Sequence, residues 1–178
     1  MKKLKKFLLI VEGADHCGKT KLCEHLIEKY RFNYYHCGVV SNITEYHQDV
    51  IDMIFTDVNK YNSNFISDRM HLSEEVYGNI FRNGPEYDWK EWNQKIVDKC
   101  KELDITYKII MCLPPRDIVI KGHAERNANG DEMFDTVAPV YDAYAKLYEE
   151  NKNFIDFYKY DFTFDPDYAK LDIYLENL

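Results

Sequence analysis

Short apolar or aromatic runs recur along the chain and alternate with stretches of helical periodicity. The runs lie at residues 7–11, 32–37, 65–68, 107–113 and 154–160. Runs of this length are typical of buried strands. After the first run, apolar residues recur at helical spacing at Leu22, Leu26 and Ile27. The pattern therefore predicts five strands separated by helices.

Further helices are predicted between and after these runs. They are expected over 43–58, 71–81, 89–103 and 139–148, with a last one from Asp165. Strands that alternate with helices form a parallel sheet with helices on both faces. The expected fold is thus α/β, a three-layer α/β/α sandwich around a five-stranded parallel sheet. A chain of 178 residues is expected to form one domain, 1–178.

Residues 116–135 differ from the rest because charged and small residues dominate there. This composition predicts a mobile lid rather than a part of the core. Lys121, His123 and Arg126 lie in it and could deliver cations to a bound phosphate when the lid closes. An ordinary solvated loop is the alternative interpretation.

The charge balance limits the partners of the protein. It has 31 acidic and 23 basic residues and a net charge of −8, which argues against a broad nucleic-acid or anionic-membrane surface. No apolar run approaches the roughly 18 residues of a membrane helix. We therefore expect neither a nucleic-acid partner nor a membrane.

The five cysteines form no CxxC pair; they lie at positions 17, 23, 37, 100 and 112. This pattern favours neither a disulfide framework nor a zinc site, and it fits a reducing, cytoplasmic location. Cys17 has two interpretations. It is either a spacer or a reactive thiol whose pKa is lowered by a helix N-terminus.

One stretch has the spacing of a phosphate-binding loop. It consists of Gly13, Ala14, Asp15, His16, Cys17, Gly18, Lys19 and Thr20, and a predicted strand and helix flank it as the motif requires. The loop N–H groups and the helix N-terminus would bind ATP phosphates. Lys19 would contact the outer phosphates, and the Thr20 hydroxyl would bind Mg2+.

A second candidate group closes the third predicted strand. The carboxylate of Asp68 can hold Mg2+ through water or accept a proton, and Arg69 can bind a further phosphate with two N–H groups. Because the carboxyl ends of parallel strands share one edge of the sheet, both residues are expected to face the phosphate loop. A surface ion pair is the alternative.

Three stretches together resemble the thymidylate kinase family of P-loop nucleoside monophosphate kinases, in its small phage-type form. They are the phosphate loop with Glu12, residues 68–77, and residues 113–115 before the lid. The resemblance implies that the γ-phosphoryl group of ATP is transferred, with Mg2+, to a deoxynucleoside monophosphate, dTMP or a related pyrimidine. It also implies a homodimer.

The resemblance assigns roles to single residues. Asp15 would meet the 3′-hydroxyl of the acceptor, Arg69 would bind its phosphate, and Asp68 would organise Mg2+. Ser73 and Tyr77 would lie near the nucleoside. Arg126 would belong to the lid over ATP, and Phe55 corresponds to a base-stacking phenylalanine, although its place on an apolar helical stripe also predicts core packing.

Other nucleotide-binding classes remain as alternatives. The Arg-Glu-Pro-Gly-like stretch of cellular thymidylate kinases is absent, and residues 37–40 are Cys-Gly-Val-Val. A deoxynucleoside kinase would need a carboxylate after the second strand, and none is present there. A GTPase-type switch is disfavoured because residues 59–62, Asn-Lys-Tyr-Asn, lack the final Asp. A non-catalytic nucleotide-binding module is the last alternative.

Overall fold

The structure, a computed structural model, describes residues 6–38, 40–128 and 136–178. Its strands are β1 (Lys6–Glu12), β2 (Asn33–His36), β3 (Phe65–Asp68), β4 (Ile105–Cys112) and β5 (Phe157–Tyr160). Its helices are α1 (Lys19–Tyr30), α2 (Ile43–Tyr61), α3 (His71–Phe81), α4 (Trp89–Glu102), α5 (Arg116–Ala128), α6 (Val137–Asn151) and α7 (Ala169–Glu176).

The five strands form one parallel sheet in the order β2-β3-β1-β4-β5. Leu9, Ile10 and Val11 of the central strand β1 have no exposed surface, because helices cover both faces of a parallel sheet. This arrangement confirms the expected α/β fold. The carboxyl ends of β1, β3 and β4 meet at one edge, which carries the phosphate loop.

Helix α2 packs an apolar stripe into the core. Val50, Ile54 and Val58 are buried in it, and Phe55 is buried beside them with 8% of its surface exposed. The spacing of these residues places them on one helix face. Phe55 therefore contributes to core packing.

Two boundaries near the carboxyl terminus differ from the expectation. Strand β5 starts at Phe157 instead of Phe154, because the N–H groups of Phe154 and Ile155 both donate to the carbonyl of Asn151 and extend the end of α6. Helix α7 starts at Ala169. The carboxylate of Asp165 accepts from the N–H groups of residues 170 and 171, each at 3.0 Å, so it lies before the helix instead of inside it.

The segment expected to form an irregular lid is helical over Arg116–Ala128. Val119 and His123 of this helix are buried, so its inner face packs on the protein. Residues 129–135 of the expected lid, and Val39 after β2, lie outside the described residues. Within the part of the chain that is described, the helices are too short or too polar to cross a bilayer.

Candidate nucleotide-binding site

The phosphate loop joins β1 to α1, and its two glycines occupy positions that exclude a side chain. Gly13 has φ of +143°, and a Cβ there would lie 2.7 Å from the carbonyl oxygen of Cys112. Gly18 has φ of +84°, and its Cβ would lie 2.9 Å from the ring of Phe162. The loop is thus folded closely against β4 and the segment after β5.

Lys19 extends back over this loop. Its ammonium group donates to the carbonyl of Ala14 at 2.7 Å and lies 3.8 Å from Oδ1 of Asp15. The side chain is 7% exposed. Thr20 follows in the first turn of α1 and is exposed. A buried cation and a helix N-terminus at one loop form a site for phosphate groups.

Cys17 is a buried spacer in this loop. Burial raises the pKa of its thiol to about 12, against the opposing effect of Lys19. The interpretation as a reactive thiol is therefore wrong. The sequence identified the helix N-terminus next to Cys17, but the burial of the thiol depends on elements from distant parts of the chain.

Arg69 follows β3 in a left-handed conformation with φ of +66°. Its N–H group donates to the carbonyl of Val11 at 2.9 Å, which places it beside the phosphate loop. The guanidinium donates to Asp15 and lies 5.3 Å from the ring centroid of Tyr77. Its Nε is buried and has no hydrogen-bond partner among the residues that the structure describes. One donor of this cation is thus left for an anion.

The Asp15 carboxylate completes this group. Burial alone would raise its pKa, but the charges of Arg69 and Lys19 outweigh burial and hold the pKa below its ordinary value. Asp15 is consequently ionised at neutral pH. Its side chain remains 56% exposed, so it is accessible to a ligand.

Asp68, at the end of β3, is only partly hydrogen-bonded. Its Oδ2 accepts from the hydroxyl of Tyr34 at 3.1 Å and lies 3.2 Å from Nδ1 of His36. Its Oδ1 is buried, and within the described part of the chain it has no hydrogen-bond partner. The described residues contain no cluster of three or more metal-binding side chains. A single carboxylate oxygen such as Oδ1 of Asp68 is nevertheless enough for Mg2+, because this ion takes most of its other ligands from water and phosphate.

A buried network around Glu12 was not identified from the sequence. Glu12 Oε1 accepts from the N–H groups of Met70 and Ser73, at 2.9 and 3.4 Å. Its Oε2 accepts from the hydroxyls of Ser73 and Tyr144, at 2.6 and 3.0 Å. Burial raises the pKa of Glu12 despite these bonds. The hydroxyl of Ser73 is therefore engaged with Glu12. An acidic residue that ends an apolar strand was the only available signal.

A cavity of about 540 Å³ opens next to Arg69. Its wall comes from the end of β2, the start of α2, helix α3 and the residue before α6. The lining residues are Cys37, Gly38, Ile43, His47, Arg69, Ser73, Glu74, Tyr77, Phe81, Arg82 and Thr136. The wall is mainly apolar, as is usual for pockets that hold the ring of an organic ligand. The structure thus brings Ser73 and Tyr77 to the cavity next to Arg69.

Phe55 is not part of this cavity. It lines a separate groove between α2 and α4, together with Asn59 and Trp92. The assignment of Phe55 to base stacking does not fit this position, because Phe55 lies eight residues beyond His47, the last α2 residue that lines the cavity, and is itself absent from the cavity wall. Asn59, one turn farther along α2, also lines this groove and not the cavity.

Helix α5 contacts the phosphate loop through two histidines. His123 Nδ1 lies 3.4 Å from Nε2 of His16, and the two rings are 5.3 Å apart. Arg126 lies in the last turn of the same helix and is exposed. Lys121 pairs with Glu125 at 3.9 Å. The segment expected to carry lid cations is therefore adjacent to the loop.

Solved structures share this fold at low sequence identity. The YorR protein of Bacillus subtilis, in complex with phosphorylated GDP, is 19% identical, with a TM-score of 0.68 and 96% of both chains covered. Deoxyadenosine kinase of M. mycoides, with the products dCMP and dCDP, is 16% identical, with a TM-score of 0.51 over 87% of this chain and 90% of that one. The same enzyme with bound dATP is 14% identical, with a TM-score of 0.52 over 87% of this chain and 91% of that one.

No protein-family model matches the sequence, and no curated protein matches it. The similarity to the solved structures is therefore a similarity of fold. It confirms the α/β architecture of this chain, a five-stranded parallel sheet flanked by helices.

Proposed function

We propose that the protein transfers the γ-phosphoryl group of ATP to a deoxynucleoside monophosphate, dTMP or a related pyrimidine, and releases the diphosphate. Lys19 and the loop N–H groups hold the donor phosphates. Asp15 and Arg69 position the acceptor. Such catalysis consists mainly of positioning and charge stabilisation, which is the chemistry that these side chains supply.

The observation that carries the proposal is the unpaired Nε of Arg69. The Nε atom is buried, and the half-buried guanidinium that carries it lies beside both the phosphate loop and the cavity; Asp15 occupies only part of its donor set. A buried unpaired donor on a cation is costly unless an anion binds it. A monophosphate on the acceptor supplies that anion from the cavity side, whereas with a nucleoside acceptor only the phosphates of ATP could do so.

Mg2+ neutralises the charge of the phosphates when it is bound with ATP. Thr20 would contact it directly, and the free oxygen of Asp68 would hold one of its waters. We assign residues 116–135 to a lid over ATP. The contact of His123 with His16 supports this role, because it places α5 beside the loop. Arg126 would then stabilise the charge of the transferred group.

A deoxynucleoside kinase is the second candidate. It is favoured by the fold shared with deoxyadenosine kinase and by one carboxylate, Glu74, that lines the cavity and could accept a proton from a hydroxyl. Glu74 is engaged by Arg82 and by the N–H of Glu86, so it is a poorer base than a free carboxylate.

An ADP-release assay tests the proposal. Mg-ATP is offered with deoxynucleoside monophosphates, including modified pyrimidines, and with the parent nucleosides. Turnover with monophosphates alone is expected, and Lys19→Ala should abolish it in a folded protein. Turnover with nucleosides alone would replace the proposal by the second candidate. ATP binding without turnover would indicate a non-catalytic module.

A further inference from the structure

The first turn of α2 is capped by a residue from a distant part of the chain. Asn42 precedes the helix, but its side chain donates to Glu45 and makes no capping hydrogen bond. Oε2 of Glu86 instead accepts from the N–H of Thr44 at 3.2 Å and from the Thr44 hydroxyl at 3.1 Å. A carboxylate at a helix N-terminus satisfies a free N–H donor and meets the positive end of the helix dipole. Glu86 therefore caps α2 from 42 positions away.

Glu86 also binds a second element of the cavity wall. Its N–H donates to Oε1 of Glu74 at 2.7 Å, and Glu74 lines the cavity from α3. Pro85 packs closely on the same helix, since a Cβ on Gly78 would lie 2.7 Å from the Cα of Pro85. Nη1 of Arg82 lies 4.0 Å from Oε1 of Glu86. The loop between α3 and α4 is thus fixed on α3, and from there the Glu86 carboxylate reaches α2.

The next residue of this loop makes a similar contact. The hydroxyl of Tyr87 and Nδ1 of His47 are 2.5 Å apart, and the Tyr87 ring stacks on Trp92 with the ring centroids 4.4 Å apart. His47 is buried and lines the cavity together with Ile43. Two successive loop residues therefore hold the part of α2 that forms the cavity wall, although neither of them lines the cavity itself.

We propose that Glu86 is a positioning residue for the acceptor, because it holds the first turn of α2 in the geometry in which Ile43 and His47 form the cavity wall. The inference rests on the proposed function. A helix that loses its cap is destabilised at its first turn, and a disordered wall must be ordered again when a ligand binds. Binding in the cavity is therefore expected to weaken. Lys19 and the phosphate loop lie on other elements and should retain their affinity for ATP.

Steady-state kinetics with Mg-ATP and the monophosphate of highest kcat/KM test this role. Glu86→Ala should raise KM for the monophosphate about five-fold, the size expected from the loss of a helix cap, with little change in kcat or in KM for ATP. Glu86→Gln retains an oxygen that can accept both hydrogen bonds, so it should restore most of the affinity. Glu75→Ala is the matched control, because the Glu75 carboxylate accepts from Asn79 within α3.

A double-mutant cycle assigns the effect to the cap. Thr44→Val removes one of the two donors to Glu86 and should raise KM for the monophosphate about two-fold. In the Glu86→Ala background the same substitution should have no further effect. Additive effects would overturn the inference. If Glu86→Ala does not fold, Thr44→Val decides alone, and an unchanged KM for the monophosphate in that variant would contradict the role of Glu86.

Two measurements that need no turnover separate the two proposals. They are amide hydrogen exchange over residues 43–47 and calorimetric binding of the same monophosphate. Glu86→Ala should accelerate the exchange and weaken the binding about five-fold. A wild type that binds the monophosphate without turnover contradicts the proposed function alone. Exchange or monophosphate binding that is unchanged in Glu86→Ala contradicts the role of Glu86 alone, as do equal increases of KM for both substrates.

Discussion

Two buried carboxylates end neighbouring strands of the sheet, and they differ in how they are satisfied. Glu12 closes β1 and Asp68 closes β3, where Val11 pairs with Asp68. They are 0% and 3% exposed. Both oxygens of Glu12 accept hydrogen bonds, whereas one oxygen of Asp68 has no partner in the ranges 6–38, 40–128 and 136–178.

The difference is the one expected if Glu12 is structural and if Asp68 has the Mg2+-binding role that we propose. The donors to Glu12 come from Met70, Ser73 and Tyr144, so it joins β1 to α3 and α6. Among the described residues, the side-chain hydrogen bonds of Asp68 come from Tyr34 and His36 of β2. A buried polar atom without a partner is costly, and a bound ion is one compensation for that cost. Exposure alone would not have distinguished the two residues.

The largest expected effect comes from Asp68→Asn, which removes the carboxylate charge and keeps the shape. We expect turnover to fall about 100-fold, or roughly 2.7 kcal/mol in activation free energy, with a smaller loss at high Mg2+. The free energy of unfolding should change little. The measurements are kcat against Mg2+ concentration and urea denaturation. Unchanged turnover would contradict a ligand-binding role.

At Glu12 we expect the opposite pattern, in which stability falls and turnover is kept. Glu12→Gln replaces one acceptor oxygen by an N–H2 group that faces Ser73 and Tyr144, so we expect a loss of about 1–3 kcal/mol in the free energy of unfolding. Turnover per folded molecule should remain close to that of the wild type. Urea denaturation and the ADP-release assay measure both quantities. A Glu12→Gln variant that keeps full stability but has no activity would contradict this assignment, because it would indicate that Glu12 and not Asp68 is the ligand-binding acid.

The pH dependence of stability sharpens the assignment of Glu12. Its pKa in the folded protein is raised above the ordinary 4.5, mainly by burial. The folded state therefore binds the proton more tightly than the unfolded state. This contribution to stability is complete below pH 4.5 and is lost as pH rises through the folded-state pKa. The stability advantage of the wild type over Glu12→Gln should shrink as pH rises. An advantage that grows with pH would contradict this sign.

The smallest effect is expected at Tyr34, which donates to Asp68 from β2. Tyr34→Phe removes one hydrogen bond, worth about 0.5–1.5 kcal/mol. We therefore expect the turnover rate at limiting Mg2+ to fall a few-fold. Tyr35→Phe is the control, because the Tyr35 hydroxyl pairs with Tyr46 instead. Equal effects of both variants would show that the hydroxyl of Tyr34 has no special link to Asp68.

Much of the fold was predictable because its signals are local. Strand β3 and helix α3 have the expected bounds, since a four-residue run and a helical spacing are both complete within short stretches. The phosphate loop was predictable for the same reason. Its glycines are required by the backbone itself, as the φ values of Gly13 and Gly18 show.

The rest depended on contacts between distant residues. Glu12 and Tyr144 are 132 positions apart, and no local pattern joins them. Phe55 has the same apolar spacing whether its face of α2 meets the core or a ligand. Glu86 lies in a loop, where a charged residue is ordinary, and only the folded chain shows that it caps α2.

The five cysteines provide a way to observe local opening. All five are free and buried, and they lie in the phosphate loop, α1, the end of β2, α4 and β4. A thiol reagent reacts with a buried cysteine only when its surroundings open. Labelling rates measured cysteine by cysteine would therefore report the opening free energy of each layer separately. The native cysteines can thus serve as probes of local opening, and no cysteine has to be introduced by mutation.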